Sequence, residues 1–225
     1  LTHHPSPVTQ PVGLLGGTFD PIHYGHLRLA EEMSQALGLH QVRFMPAGHP
    51  PHRDLPGASP EQRCAMVGLA IANHPGFLLD RRELVRTTPS FMVDSLTELR
   101  QELGPDTPLT LFLGADAFAG LPDWHRWKEL TGLAHLAVAH RPGFSETEDW
   151  SARLPAQLQT ELARRLCADP QALSQAPSGH IFILPITQLA ISASALRTAT
   201  AQGHSLRYLT PDPVIDYIQQ HQLYR

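Results

Sequence analysis

The sequence predicts an α/β fold, a parallel sheet with helices on both faces. Three observations predict it. Apolar strand-like runs alternate along the chain with segments of helical character, which is the pattern of repeated βαβ units. The strongest runs are apolar throughout and do not alternate, as strands buried on both faces must be. At 225 residues the chain can bury one sizeable core without a second domain.

Residues 1–11, with three prolines and His3-His4, read as a flexible lead-in, and a single domain is expected over 12–225. Residues 12–15 form the first apolar run, and Leu29-Ala30-Glu31-Glu32-Met33 has helical character. A second strand is expected over 41–45, ending at Pro46, before a loop rich in Pro, Gly and His over 47–58. Ser59-Pro60-Glu61-Gln62 combines a cap, a proline at the first helical position and a Gln three after the cap, so a helix runs from there to about Asn73. Residues 77–80 and 83–85 read as short strands, and Ser90 is expected to cap a helix ending near Gly104. Strands follow at 109–113, 134–139 and 181–184, with helix expected over 150–170. A short C-terminal helical segment, about 194–202 and 213–220, completes the chain.

Composition excludes several classes. A net charge of -4 argues against nucleic acid or an anionic membrane as the main partner. No apolar run approaches a membrane span, and no basic-then-apolar signal pattern opens the sequence. Cys64 and Cys167 stand far apart, which fits neither a disulfide framework nor a cysteine zinc site and suits a reducing cytoplasm. No metal site in the protein itself is expected, His3-His4 included. Oligomeric state is not legible in the sequence.

The most informative segment is Gly16-Gly17-Thr18-Phe19-Asp20-Pro21-Ile22-His23-Tyr24-Gly25-His26-Leu27. Its glycines let the backbone turn sharply and approach a ligand closely. His23 and His26, three apart at a helix start, share one face of the first turn. That end of a helix carries unpaired N–H groups and partial positive charge, so the segment is suited to phosphate. It is neither a P-loop nor the dinucleotide fingerprint, since no Lys-Ser/Thr follows and the glycine spacing differs. Thr18 and the Phe19 backbone can serve the same phosphates.

A second constellation, Ile191-Ser192-Ala193-Ser194-Ala195-Leu196-Arg197, follows the last strand. Either serine can act simply as an N-cap. Alternatively, the helix start, the two hydroxyls and the Arg197 fork suit phosphate oxygens. Two such segments at opposite ends of the chain can bracket a triphosphate.

Together these segments resemble the adenylyltransferases of the nucleotidyltransferase superfamily, and in particular the bacterial nicotinate-nucleotide adenylyltransferases. The resemblance continues through Pro50-Pro51-His52-Arg53, Pro89-Ser90-Phe91, Gly114-Ala115-Asp116, Pro122-Asp123-Trp124, Arg141-Pro142-Gly143 and Leu223-Tyr224-Arg225. It implies a Rossmann-like sheet of nucleotidyltransferase type. It also implies transfer of the adenylyl group of ATP to nicotinate mononucleotide, giving deamido-NAD and pyrophosphate, with Mg²⁺ brought by ATP. His23, His26 and Arg197 would be catalytic through their phosphate contacts. Gly16, Gly17, Thr18, Phe19, Ile191, Ser192 and Ser194 would complete the phosphate site, and Gly114 and Asp116 would hold the ribose. Thr18, Arg53, Met92, Val93, Trp124, His125 and Arg141 would bind nicotinate mononucleotide, with Trp124 stacked on the pyridine and backbone amides at Val93 and His125 reading the carboxylate. Without the resemblance, Asp116 reads equally as an N-cap, Trp124 as core, and the two arginines as surface.

Three departures stand out: Ser90-Phe91-Met92 replaces Ser-Tyr-Thr, Ser194 replaces Thr, and His125 replaces a common Tyr. Met92 removes a hydroxyl beside the expected carboxylate pocket. The rivals are the same chemistry on nicotinamide mononucleotide or phosphopantetheine, and a non-catalytic nucleotide sensor. No nucleophilic triad is apparent, so no covalent intermediate is expected.

Overall fold

The computed structural model describes residues 10–50, 56–140, 150–187 and 189–225. Six parallel strands, β1 (Val12–Gly17), β2 (Gln41–Pro46), β3 (Phe77–Leu79), β4 (Leu109–Gly114), β5 (His135–His140) and β6 (Ile181–Pro185), form one sheet in the order β3-β2-β1-β4-β5-β6. The parallel sheet with helices on both faces expected from the alternating runs is observed, and its strand order is the Rossmann-like one that the resemblance implies.

Strand periodicity explains the two layers. Leu109, Leu111 and Leu113 face one core and Phe112 the other, and in β5 Leu136 and Val138 oppose Ala137 and Ala139. Successive side chains of a strand point to opposite faces, so an unbroken apolar run feeds both cores. One face is covered by α1 (Tyr24–Ala36), α2 (Pro60–Ile71), α8 (Ala193–Ala201) and α9 (Asp212–Gln220), whose Met33, Met66, Leu196 and Ile218 are buried there. The other is covered by α3 (Met92–Leu103), the short α4 (Ala115–Ala119) and α5 (Leu130–Leu133), and α6 (Ala156–Arg165). A further short helix, α7 (Ala172–Gln175), precedes β6.

The order reverses between β1 and β4: β2 and β3 lie to one side, β5 and β6 to the other. Connections from these two neighbours leave in opposite directions, opening a crevice beyond their carboxyl ends. The glycine-histidine segment follows β1 and Gly114-Ala115-Asp116 ends β4, so the fold delivers both to that crevice.

The capping box expected at α2 is formed: the Gln62 N–H donates to Ser59 Oγ at 3.2 Å and the Ser59 N–H to Gln62 Oε1 at 2.9 Å. Three local expectations fail. Residues 83–85 are a turn and not a strand. Glu83 is buried and accepts from Ser95 Oγ at 2.6 Å, while Val85 is 84% exposed. Ser90 does not cap α3; Phe91 holds the N-cap position, and Ser90 Oγ accepts instead from the His49 N–H at 3.0 Å. The helix expected over 150–170 is broken, with a 3₁₀ turn at Trp150–Arg153 and then α6. Pro155 disfavours helical geometry at Leu154. The far end is drawn off by the sheet, where the Cys167 N–H donates to the Ile181 carbonyl at 2.8 Å.

Candidate active site

Gly16 and Gly17 do not make the expected turn: they are the last residues of β1, held in its pairing with β2, and the chain turns just after them at Asp20 and Pro21. A Cβ on Gly16 would stand 2.5 Å from Met92 Cε, so the end of the methionine from the start of α3 lies directly over this glycine. Phe19 follows with φ of 50°, buried at 2%. Its ring meets the His26 imidazole edge-on at 5.0 Å and lies 6.1 Å from Phe44. A left-handed backbone is costly for an aromatic residue, and the burial of its ring holds it there.

His23 is the N-cap residue of α1, and its backbone N–H donates to His26 Nδ1 at 3.3 Å. The two imidazoles stack with centroids 3.8 Å apart and planes at 26°. Because His26 Nδ1 accepts, a neutral His26 carries its proton on Nε2 and is a donor there. His23 is 6% exposed and its Nδ1 is buried without a hydrogen-bond partner. Burial lowers its pKa to about 4, so at neutral pH it is an uncharged imidazole.

That shift has a sign. His23 and His135, also lowered to about 4 chiefly by burial, bind protons more readily in the unfolded chain. Their neutral burial favours folding fully above pH 6.5, and that advantage is lost as pH falls toward 4. The denaturation midpoint should therefore drop across that window, and His135→Gln should flatten the drop. An unchanged acid profile in that variant would show that His135 does not titrate as its burial requires.

The second constellation meets the first. Gly25 lies between them: a Cβ there would be 3.0 Å from the His23 ring and 3.7 Å from the Ile191 carbonyl oxygen. Ser192 is the N-cap of α8, accepting from the Ala195 N–H at 3.2 Å, and its Oγ is 3.1 Å from Ser194 Oγ. Capping and ligand binding are thus compatible, since both hydroxyls remain exposed. One turn on, Arg197 Nη1 donates to the Asp20 carbonyl at 2.8 Å and stands 3.7 Å from Asp20 Oδ2. Two helix N-termini and a guanidinium therefore converge beside the end of β1, an arrangement that favours a polyanion.

On the other side of the crevice, Gly114 is the N-cap of α4 and Asp116 lies exposed in its first turn. The N-cap alternative for Asp116 is thereby removed. Further along, Val93 is buried in the first turn of α3, and Phe91, Met92 and Trp124 pack partly buried against the same core. Phe91 stacks on His125 with centroids 4.3 Å apart. The first-turn N–H groups of Met92 and Val93 have no acceptor within the helix. Arg53 and Arg141 lie outside the described residues.

Sequence reasoning gave no separate role to the residues that brace this site. Asp20 is 5% exposed, and its carboxylate accepts from the Gly57 N–H at 2.8 Å, the Ala58 N–H at 3.1 Å and the Tyr224 hydroxyl at 2.7 Å. Arg63 on α2 is completely buried and donates to the carbonyls of Thr18 (2.7 Å), Gly48 (3.2 Å) and Ala58 (3.3 Å). Burial lowers its pKa, against the opposing charge of Asp20. Asp20 was visible within the glycine-histidine segment; nothing in the pattern of α2 marks Arg63 as internal.

Among the described residues, no group of three or more His, Cys, Asp or Glu is placed to hold a metal ion, and no helix is long and apolar enough to cross a membrane. The cytidylyltransferase-like family model matches residues 14–199. A protein of Dechloromonas aromatica named "Probable nicotinate-nucleotide adenylyltransferase" is 51% identical over 97% of this chain and 99% of its own length. One of the same name from Aeromonas hydrophila is 49% identical over 96% and 97%. The solved Plasmodium falciparum nicotinic acid mononucleotide adenylyltransferase complexed with NaAD superposes with a TM-score of 0.70 at 17% identity, covering 96% of this chain and 97% of that one. That likeness carries the fold, and the near-full-length relatives carry the family. A crevice built from two phosphate-suited helix starts thus belongs to a chain of the nicotinate-nucleotide adenylyltransferase family, within the cytidylyltransferase-like fold.

Proposed function

We propose that the crevice transfers the adenylyl group of ATP to nicotinate mononucleotide. The observation that carries this reading is the meeting of the α1 and α8 N-termini at Gly25 and Ile191, with Arg197 tied back to Asp20. A triphosphate laid there would face His23, His26, Ser192, Ser194 and Arg197 together. Gly16 and Gly17 at the end of β1, with Thr18 and Phe19 after them, lie beneath it, and Gly114 and Asp116 stand on the ribose side. Mg²⁺ enters as part of the Mg-ATP substrate, held largely by phosphates and water.

The chemistry needs little beyond positioning. A 5′-phosphate oxygen of the mononucleotide attacks the α-phosphorus of ATP in line. The bond from that phosphorus to the bridging oxygen of the β-phosphate breaks, and pyrophosphate leaves with the electron pair. The attacking phosphate is already ionised, so no general base is required. Charge builds on the α-phosphoryl and bridging oxygens, where donors such as His26 Nε2–H and Arg197 stabilise it. A neutral His23 acts as a hydrogen-bonding group without carrying a fixed charge.

The acceptor follows from the start of α3. Its first-turn Met92 and Val93 N–H groups, which have no acceptor within the helix, and its positive dipole end favour a carboxylate over a neutral amide, with Trp124 and His125 beside them. Arg53 and Arg141 remain candidates for the mononucleotide phosphate. Met92 brings a thioether where relatives of the resemblance carry a hydroxyl, which leaves discrimination to backbone donors. Purified protein with Mg-ATP and either mononucleotide should release pyrophosphate and form deamido-NAD at least about tenfold faster than NAD, the scale of one lost charge-assisted hydrogen bond. Product from the nicotinamide form alone would overturn the acceptor, and ATP binding without pyrophosphate release would favour a sensor.

A further inference from the structure

The hydroxyl of Tyr224 lies far from any role in the chemistry proposed above, yet it reaches the middle of the phosphate site's support. It belongs to the short segment after α9 and adopts φ of 63°, a left-handed conformation that is strained for tyrosine. Its ring packs against Gly57, where an added Cβ would stand 3.0 Å from Cδ1. Its hydroxyl donates to Asp20 Oδ1 at 2.7 Å, and the Gly57 and Ala58 N–H groups donate to the same carboxylate. Burial and the adjoining carboxylate push the Tyr224 pKa up, so it remains a donor across the working range.

What Asp20 in turn holds is Arg197. The guanidinium donates to the Asp20 carbonyl at 2.8 Å and sits 3.7 Å from Oδ2. Arg197 is 38% exposed, and a long, flexible side chain at that exposure loses rotamer freedom unless something fixes one end. The Asp20 carboxylate is itself fixed by donors from two other places in the chain, the Gly57 and Ala58 backbone and the Tyr224 hydroxyl.

We propose that Tyr224 is a positioning residue for ATP: acting through Asp20, it holds Arg197 where the triphosphate binds. This deepens the adenylyl-transfer reading and rests on it. Tyr224→Phe keeps the ring against Gly57 and removes only the hydroxyl. Calorimetric titration of the full chain with Mg-ATP, without acceptor, should show affinity weakened about fivefold to tenfold, the net worth of one ordinary hydrogen bond felt through Asp20. Affinity for nicotinate mononucleotide should not change. In an Arg197→Ala background, Tyr224→Phe should cost less than about twofold more, because coupled residues are not additive. A merely structural tyrosine would weaken both ligands alike and act additively with Arg197→Ala, and either result overturns the proposal, as does unchanged Mg-ATP affinity in Tyr224→Phe. Failure of the wild-type chain to bind Mg-ATP would instead overturn the adenylyl-transfer reading itself.

Discussion

His26→Ala should lower the turnover of adenylyl transfer by about 100- to 1000-fold, the range seen when one preorganised donor to developing charge is removed. The side chain is only partly buried, and its Nδ1 accepts a long hydrogen bond from the His23 N–H at 3.3 Å. Its loss therefore costs the fold little, and the thermal midpoint should hold within a few degrees. His23→Ala is a less clean variant. His23 is buried and stacks on His26 at 3.8 Å, so its removal opens a cavity and frees the neighbouring ring. Pyrophosphate release under saturating Mg-ATP and nicotinate mononucleotide measures the first effect. Turnover within threefold of wild type in His26→Ala would remove this imidazole from the chemistry.

Arg63→Met should destabilise the fold by about 3–5 kcal/mol, the cost of breaking a buried charge network by removing one partner. For a chain of this length that corresponds to a fall in Tm on the order of 10 °C. The methionine fills similar space, so packing is largely conserved. What is lost is the donor set for the Thr18, Gly48 and Ala58 carbonyls, together with the positive charge facing buried Asp20. Buried carbonyls without partners are costly, and a buried carboxylate without compensation is more so. Arg63→Lys should recover only part of the loss, because one ammonium cannot span three carbonyls as a planar fork does. Urea unfolding measures both, and a change below about 1 kcal/mol in Arg63→Met would show that these contacts are replaced by water.

The contrast between these two residues shows how the site could be read. His26 was legible because its meaning is local: a glycine pair, a helix start and a partner three residues away. The same holds for Ser192, which caps α8 as its place before a helical run implied, and for the Ser59–Gln62 box. The strands were legible because β1, β4 and β5 are buried on both faces, which forces continuous apolar composition. Residues 83–85 carried the same apolar signal in miniature, but Glu83 is drawn inward to Ser95, twelve positions along the chain. Ser90 looked like a cap until His49 supplied its partner.

Arg63 was illegible for the same reason in stronger form. Its partners lie 45, 15 and 5 residues away, and an arginine among α2's apolar residues reads as surface by default. Asp20 and Tyr224, 204 residues apart, became a pair only through the close approach of the segment after α9 to the connection between β1 and α1.

Read alone, then, the chain specified its elements, its phosphate-suited helix starts and the family it resembles. Each of these depends on backbone geometry and hydrogen bonding within a few residues. Which buried charges brace the site, and that Met92 lies over Gly16, was decided only in three dimensions. A buried polar group must find partners wherever the fold places them, and sequence distance does not constrain where that is.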